Sequence, residues 1–199
     1  MPMTRLDRAI RRRVAKANVR LVALLVFGWL AAPGEAAEVS VYVLTGQSNS
    51  LGTTNVESPT DPGMDPADAE TELYWSNVRS TNAVYPPALY GDSGGNITTL
   101  QVQQGDGGAN PTFWGPEIGF ARILADAGLS DVLVVKASRG GGGNGYWDKA
   151  TFDVDQDAGH MWGHLVDTLD AALAEIVGRG DSFSFKGLMY LQGESNNST

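Results

Sequence analysis

Three short apolar runs, separated by much longer polar stretches, dominate the hydrophobic pattern of the chain. They cover residues 39–44, 132–135 and 188–191, and they consist mainly of Val, Leu, Met and Tyr. Apolar runs of this length are typical of strands that are buried on both faces. The pattern therefore predicts three buried strands.

Two further segments carry apolar residues three or four positions apart, which predicts amphipathic helices. The first covers residues 116–127, begins with Pro116 and stops before Gly128, and the second covers residues 161–177. Proline in the first turn and glycine after the last are typical helix boundaries. The predicted buried faces comprise Ile118, Ala121, Ile123, Leu124 and Ala127 in the first helix and Leu165, Leu169, Ala172, Leu173 and Ile176 in the second.

The alternation of strands and helices predicts parallel strands joined by crossover helices. The expected fold is α/β, a three-layer α/β/α sandwich with a mainly parallel sheet. Residues 53–114 are polar and rich in Pro, Gly, Asn and Asp, and only 73–75 and 97–102 look like strands. We interpret 53–114 as a long, loop-rich insertion after the first strand that forms the rim of a site.

The amino terminus has the three parts of a secretory signal peptide. Residues 1–20 hold seven basic residues and one acid, residues 21–32 are apolar, and residues 33–37 are mostly small. The apolar part is shorter than the roughly 20 residues that span a bilayer. We predict a cleaved signal over residues 1–37 and a secreted or periplasmic protein; the alternative is an uncleaved membrane anchor.

Removing residues 1–37 changes the charge of the chain. They hold seven of the 14 basic and two of the 23 acidic residues, which leaves 7 basic and 21 acidic residues and a net charge of −14. This charge argues against nucleic acid and against stable association with anionic membranes, and it suits a neutral substrate. The chain has no cysteine, so we expect the core of residues 38–199 to stabilise the fold without disulfides.

A polar motif follows each predicted strand. The motifs are Gly-Gln-Ser-Asn at 46–49, Lys-Ala-Ser-Arg-Gly-Gly at 136–141 and Gln-Gly-Glu-Ser-Asn at 192–196. In open parallel sheets the ligand crevice lies outside the carboxyl ends of the strands. We therefore expect the three motifs to converge on one site.

A serine in such a motif can attack an ester carbonyl once a base takes its proton, and donors must then meet the oxyanion. The backbone N–H groups of Ser48 and Gly140 and the side-chain amide of Gln192 are the candidate donors, since glycine lets the backbone approach closely. Each residue also has a possible structural role without catalysis. These roles are a helix cap for Ser48, an ordinary loop for Gly140, and solvated polar side chains for Gln192 and Glu194.

The three motifs resemble those of the SGNH-hydrolase superfamily. Within it they are similar to the sialate O-acetylesterase-like domain, which includes the acetylxylan esterases of carbohydrate esterase family 6; Gly-Pro-Glu at 115–117 and Trp147 also match. The resemblance implies a flavodoxin-like α/β/α fold and a serine esterase that hydrolyses O-acetyl esters on carbohydrate through an acyl-enzyme at Ser48. It also implies that Gly140 and Gln192 complete the oxyanion hole and that Glu194 orients the base.

Two departures from the family pattern bear on activity. Asn196 replaces the usual Asp, and the family takes its catalytic His from an Asp-x-x-His block downstream of the third motif, whereas this sequence ends at Thr199. We therefore expect residues 38–199 to be an incomplete domain that lacks its C-terminal part. The alternative function is a catalytically inactive fragment or a carbohydrate-binding remnant of the same fold.

Four more residues are candidates for substrate binding: Gln47, Asn49, Arg139 and Trp147. For Arg139 the favoured alternative is a cation that pins the glycine loop. Aromatic residues in the loops are candidate stacking surfaces for sugar rings, although packing is the commoner role of such residues. These aromatic residues are Trp75, Tyr85, Tyr90, Trp114, Tyr146 and Trp147.

The two histidines, His160 and His164, precede the third motif, and we expect neither to replace the missing base. As a metal pair they lack a third ligand. The acidic run 153–157 resembles a calcium loop, but Ala158 stands where glycine is required and no Glu occupies the twelfth position. We therefore predict no metal and no cofactor, and an acetylated carbohydrate as the substrate.

Overall fold

The computed structural model describes residues 36–52, 65–79, 81, 84–104 and 112–197. Residues 1–35 of the predicted signal segment lie outside these ranges. Among the described residues, no helix combines the length and the apolar character needed to cross a membrane.

The main sheet has six strands, and four of them run parallel in the order β2, β7, β1, β8. Two short strands, β3 and β4, pair antiparallel with β2, and β5 pairs with β6 in a separate ladder. The strands are β1 Glu38–Gly46, β2 Glu72–Val78, β3 Leu89–Asp92, β4 Thr98–Thr99, β5 Gln103–Gln104, β6 Thr112–Phe113, β7 Val132–Arg139 and β8 Ser182–Leu191.

The longest helices cover opposite faces of this sheet. The helices are α1 Ser48–Leu51, α2 Pro116–Asp126, α3 Lys149–Val154 and α4 His160–Gly178, and single 3₁₀ helices cover Pro66–Glu70, Asn144–Trp147 and Glu194–Asn197. Both α2 and α4 end within one residue of the predicted bounds.

Alternate residues of the strands point to alternate helices. Val41 and Val43 of β1 join Ile176 of α4 in one buried cluster, whereas Leu44 joins Ile118 of α2 in another. Around β1, each face of the sheet therefore buries its own apolar layer. This confirms the predicted three-layer α/β/α fold. The prediction of a buried third strand is wrong, because β8 is the last strand of the sheet order and leaves Leu188 and Tyr190 exposed.

The predicted buried face of α2 is wrong at two positions, Ile123 and Ala127, which are both exposed. Ile123 is 67% exposed, while the acidic residue Glu117 is completely buried in the first turn. Three residues of the predicted face, Ile118, Ala121 and Leu124, are buried as expected. Glu117 is buried on this face because its carboxylate forms an ion pair with Lys136 of the sheet.

Residues 73–75, which look like a strand in the sequence, lie in β2, and this strand belongs to the main sheet. This strand pairs along its whole length with β7, and six of its seven residues are buried. Its apolar run is interrupted by Ser76 and Asn77, which are buried polar residues. The Asn77 amide donates a hydrogen bond to the side-chain oxygen of Gln103, and such a distant partner leaves no trace in the local pattern.

Candidate active site

The three polar motifs meet at the carboxyl edge of the sheet, as predicted. Gly46, the last residue of β1, lies opposite Ser138 of β7 and opposite Leu191 of β8. The glycine loop that follows β7 and the Gln-Gly-Glu segment that follows β8 therefore flank the turn that carries Ser48.

Only glycine fits at the start of this turn. The φ angle of Gly46 is 135°, and a Cβ atom at this position would lie 2.0 Å from the carbonyl oxygen of Leu191. The backbone N–H of Gln47 donates to the same oxygen at 2.9 Å. The nucleophile turn is thus packed directly against the end of β8.

Ser48 and Ser50 are both in α1, but they have different environments. Ser50 is fully buried, and its hydroxyl donates to the carbonyl oxygen of Gln47 at 2.7 Å and lies 3.0 Å from Oγ of Ser138. Ser48 is the first residue of α1 and is half-buried. Of the two hydroxyls, that of Ser48 is therefore the one within reach of a substrate.

Glu194 ties the third motif to the nucleophile turn. One carboxylate oxygen accepts a hydrogen bond from Nε2 of Gln47, and the other accepts one from Nδ2 of Asn49. Oε1 of the buried Gln47 accepts a third hydrogen bond, from Oγ of Ser195 at 2.7 Å. The carboxylate therefore holds the residues on both sides of Ser48.

The pKa of Glu194 lies below its ordinary value. The first cause is its own backbone N–H, and the amides of Gln47 and Asn49 contribute as well, against a smaller opposing effect of burial. All these donors favour the ionised form. Sequence reasoning assigned Gln47 and Asn49 to the substrate and missed their bonds to Glu194; a substrate contact of either residue stays a prediction.

The glycine loop after β7 is connected to the third motif. Nε2 of Gln192 donates to the carbonyl oxygen of Gly142 at 2.9 Å. An amide nitrogen carries two N–H groups, and this bond uses one of them. Gly140 and Gln192 thus lie at the same edge of the sheet as Ser48, and their oxyanion role stays a prediction.

Arg139 lies beneath the glycine loop. The side chain is buried, with its guanidinium 4.4 Å from the ring centre of Tyr146, and Nη1 donates to the carbonyl oxygens of Gly140 and Gly141. Burial is the main cause that lowers its pKa. A Cβ on Gly142 would lie 2.5 Å from Nη1. These contacts favour the loop-pinning role over a substrate contact.

Trp147 is a packing residue in this structure. It is 7% exposed and contacts Val78 and Met161 in a buried cluster. Its Nε1 donates to Oγ1 of Thr45 at 3.1 Å, and that hydroxyl donates to the backbone of β7. Trp75 is likewise buried in the core. Neither ring presents a stacking face, whereas Tyr85 and Tyr146 are half-buried.

Both histidines make internal contacts at the start of α4. Nδ1 of His160 lies 2.7 Å from the carbonyl oxygen of Asp157, and Nε2 of His164 lies 3.1 Å from the carbonyl oxygen of Ser76. Burial is the main cause that lowers the pKa of each imidazole. These contacts explain the two residues as part of the packing between α4 and its neighbours. Within the described ranges, no three His, Asp or Glu side chains are grouped to hold a metal ion.

A buried ionic network lies on the α2 side of the nucleophile turn, and sequence reasoning missed it. Nζ of Lys136 donates to Oε2 of Glu117 at 2.8 Å, to Oε1 of Gln103 at 2.7 Å and to the carbonyl oxygen of Leu51 at 2.9 Å. Burial lowers the pKa of Lys136, and the nearby Glu117 opposes this effect. The sequence signal that could have revealed this network is Lys136, a charged residue directly after the apolar run 132–135.

This fold is that of an α/β protein with a serine turn at the carboxyl edge of its sheet. The family model for carbohydrate esterases described as sialic acid-specific acetylesterases matches residues 38–199. The chain belongs to this family.

Three solved structures are similar to this chain, and the first of them supports the fold. A carbohydrate acetylesterase from Xanthomonas citri is 19% identical with a TM-score of 0.50, over 79% of this chain and 33% of its own. An Arabidopsis thaliana protein is 16% identical (TM-score 0.47) over 79% of this chain and 58% of its own. NanS is 18% identical (TM-score 0.41) over 82% of this chain and 56% of its own. The chain thus matches between 33% and 58% of these proteins, and no curated protein matches it.

Proposed function

We propose that this chain carries the nucleophile and the oxyanion hole of a serine esterase that removes O-acetyl groups from carbohydrate. The observation that carries the proposal is the position of Ser48, which lies at a tight turn where the three motifs meet. Membership of the carbohydrate esterase family supports the substrate class.

The proposed reaction forms an acyl-enzyme. Oγ of Ser48 attacks the acetyl carbonyl carbon while a base takes its proton. The backbone N–H groups of Ser48 and Gly140 and the side-chain amide of Gln192 stabilise the oxyanion, and each such donor is typically worth on the order of 10²–10³ in rate. The bond between the acetyl carbon and the sugar oxygen then breaks, and the sugar hydroxyl leaves with the proton. Water hydrolyses the acetyl ester of Ser48.

The general base in this proposal is the histidine of the Asp-x-x-His block that the family resemblance implies. His160 and His164 are unsuited to the role, because both imidazoles are buried in the packing at the start of α4. The net charge of −14 for residues 38–199 favours a neutral acetylated sugar over an anionic one. We also propose that the protein is exported, on the strength of the residue pattern at 1–37.

The test is the release of acetate from acetylated xylan, from O-acetylated sialic acid and from a chromogenic acetate by the full-length protein. The Ser48→Ala variant should lose the activity, whereas Ser130→Ala, which changes an exposed serine at the opposite end of β7, should retain it. Equal rates for the wild type and Ser48→Ala would refute the nucleophile assignment. Preference for the anionic sugar would refute the preference for a neutral substrate and leave the carbohydrate esterase assignment standing.

A carbohydrate-binding protein of the same fold is the second candidate. The burial of His160 and His164 favours it, because loss of the general base alone typically costs 10²–10⁴-fold in rate. This function predicts binding of acetylated oligosaccharides in calorimetry without release of acetate. Turnover that depends on Ser48 would exclude it.

A further inference from the structure

The ion pair between Lys136 and Glu117 is unusual because both side chains are fully buried. Taking two charges out of water costs free energy that their attraction offsets only when the geometry is good and the remaining hydrogen-bonding groups are satisfied. Apolar residues of similar size are often as stabilising in such a place. The pair therefore calls for a role other than general stability.

The ammonium group of Lys136 makes contact with the nucleophile turn itself. Its bond to the carbonyl oxygen of Leu51 reaches the last residue of α1, three positions after Ser48. The final carbonyl groups of a helix lack partners within the helix, and α1 has only four residues. Ser138, two residues further along β7, meets Ser50 of the same turn. The strand thus fixes the end of α1 at two adjacent residues.

Glu117 fixes the backbone that faces this turn. Its Oε1 accepts hydrogen bonds from the backbone N–H of Gly115 at 2.8 Å and from Nε2 of Gln103 at 2.6 Å. A Cβ on Gly52, the residue after α1, would lie 2.5 Å from Cα of Gly115. The segment held by Glu117 is therefore in direct contact with the exit of the nucleophile turn.

We propose that Lys136 and Glu117 are positioning residues for Ser48, acting through the backbone of Leu51 and Gly52. The inference rests on the proposed esterase function, which it deepens. Neither residue contacts the substrate in this account; together they fix the end of α1 as Glu194 fixes its beginning. Their loss should lower kcat and leave KM little changed, because binding groups stay in place while the nucleophile is misaligned.

The test compares the double variant Lys136→Met/Glu117→Gln with wild type in the full-length protein. The double variant removes both charges, so it leaves no unpaired buried ion. The single variant Lys136→Met leaves Glu117 buried without its ion-pair partner, so its effects should be larger. Asp68→Asn is the control, since it breaks another ion pair, with Arg122, at a site away from α1. Hydrolysis of a chromogenic acetate gives kcat and KM, and amide hydrogen exchange reports on residues 47–52 and, separately, on α4.

We expect kcat of the double variant to fall on the order of 10²-fold, the usual effect of a small displacement of a reacting group. Amide exchange should rise in residues 47–52 while α4 keeps its protection. Asp68→Asn should leave kcat and the exchange of residues 47–52 close to their wild-type values. A double variant with wild-type kcat, or with exchange raised equally in α4, would overturn the inference. A wild type without esterase activity would instead refute the proposed function, and the exchange data would still decide whether the pair fixes the turn.

Discussion

The side-chain amide of Asn49 donates a hydrogen bond to the carboxylate of Glu194, 145 residues further along the chain. The other oxygen of the same carboxylate receives the amide of Gln47. One exposed acidic residue therefore binds both neighbours of Ser48. This arrangement gives Glu194 a role that does not require it to touch the base or the substrate.

The first prediction concerns how Glu194 acts. Glu194→Gln should lower kcat/KM on the order of 10²-fold, because an amide replaces one of the two acceptor oxygens and the turn shifts. If the effect passes through the turn, Asn49→Ala should lower kcat/KM less in the Glu194→Gln variant than it does in the wild type. A double-mutant cycle measures this coupling. Fully additive effects would show that Glu194 acts elsewhere, for example on the base.

The second prediction concerns the ionisation of Glu194. The donors around it lower its pKa below the ordinary value of 4.5, so the ionised form stabilises the fold. That contribution is fully present above pH 4.5 and is lost as the pH falls through the lowered pKa. The side-chain amide signal of Asn49 in NMR spectra should titrate with a midpoint below 4.5, and Glu194→Gln should abolish the titration. A midpoint at or above 4.5 would contradict the observed contacts.

The third prediction concerns the turn at the end of β1. Gly46→Ala should lower the free energy of unfolding by about 1–3 kcal/mol from its backbone conformation alone, and by more because of the overlap with the carbonyl of Leu191. Urea unfolding measures the change. Gly119→Ala is the matched control: Gly119 lies inside α2 with open space around its Cβ position, so alanine should stabilise by up to about 1 kcal/mol. Equal effects of the two substitutions would refute the close packing at Gly46.

The elements with strong local patterns could be predicted from the sequence. The strand before Ser48 is a run of apolar residues that ends in glycine, and both features act within a few positions. The convergence of the three motifs followed from the rule that parallel strands end at one edge. The register of Gly46 with Ser138 and with Leu191 confirms it.

The parts that were missed depend on partners far along the chain. β2 contains Asn77, whose burial is satisfied by Gln103, and Lys136 is neutralised by Glu117 on a separate helix. In a sequence, polar residues of this kind indicate a loop or an exposed position until their partners in the fold are known. For the same reason Gln47 and Asn49 were assigned to the substrate, although their amides bind Glu194.

The most direct test of the central claim is covalent trapping of the nucleophile. The full-length protein is treated with a fluorophosphonate, which phosphonylates an activated serine, and the modified peptide is identified by mass spectrometry. We predict a single adduct on Ser48 that is absent from Ser48→Ala and retained in Ser130→Ala. An adduct on another residue, or no adduct on a wild type that hydrolyses acetyl esters, would contradict the claim that Ser48 is the catalytic nucleophile.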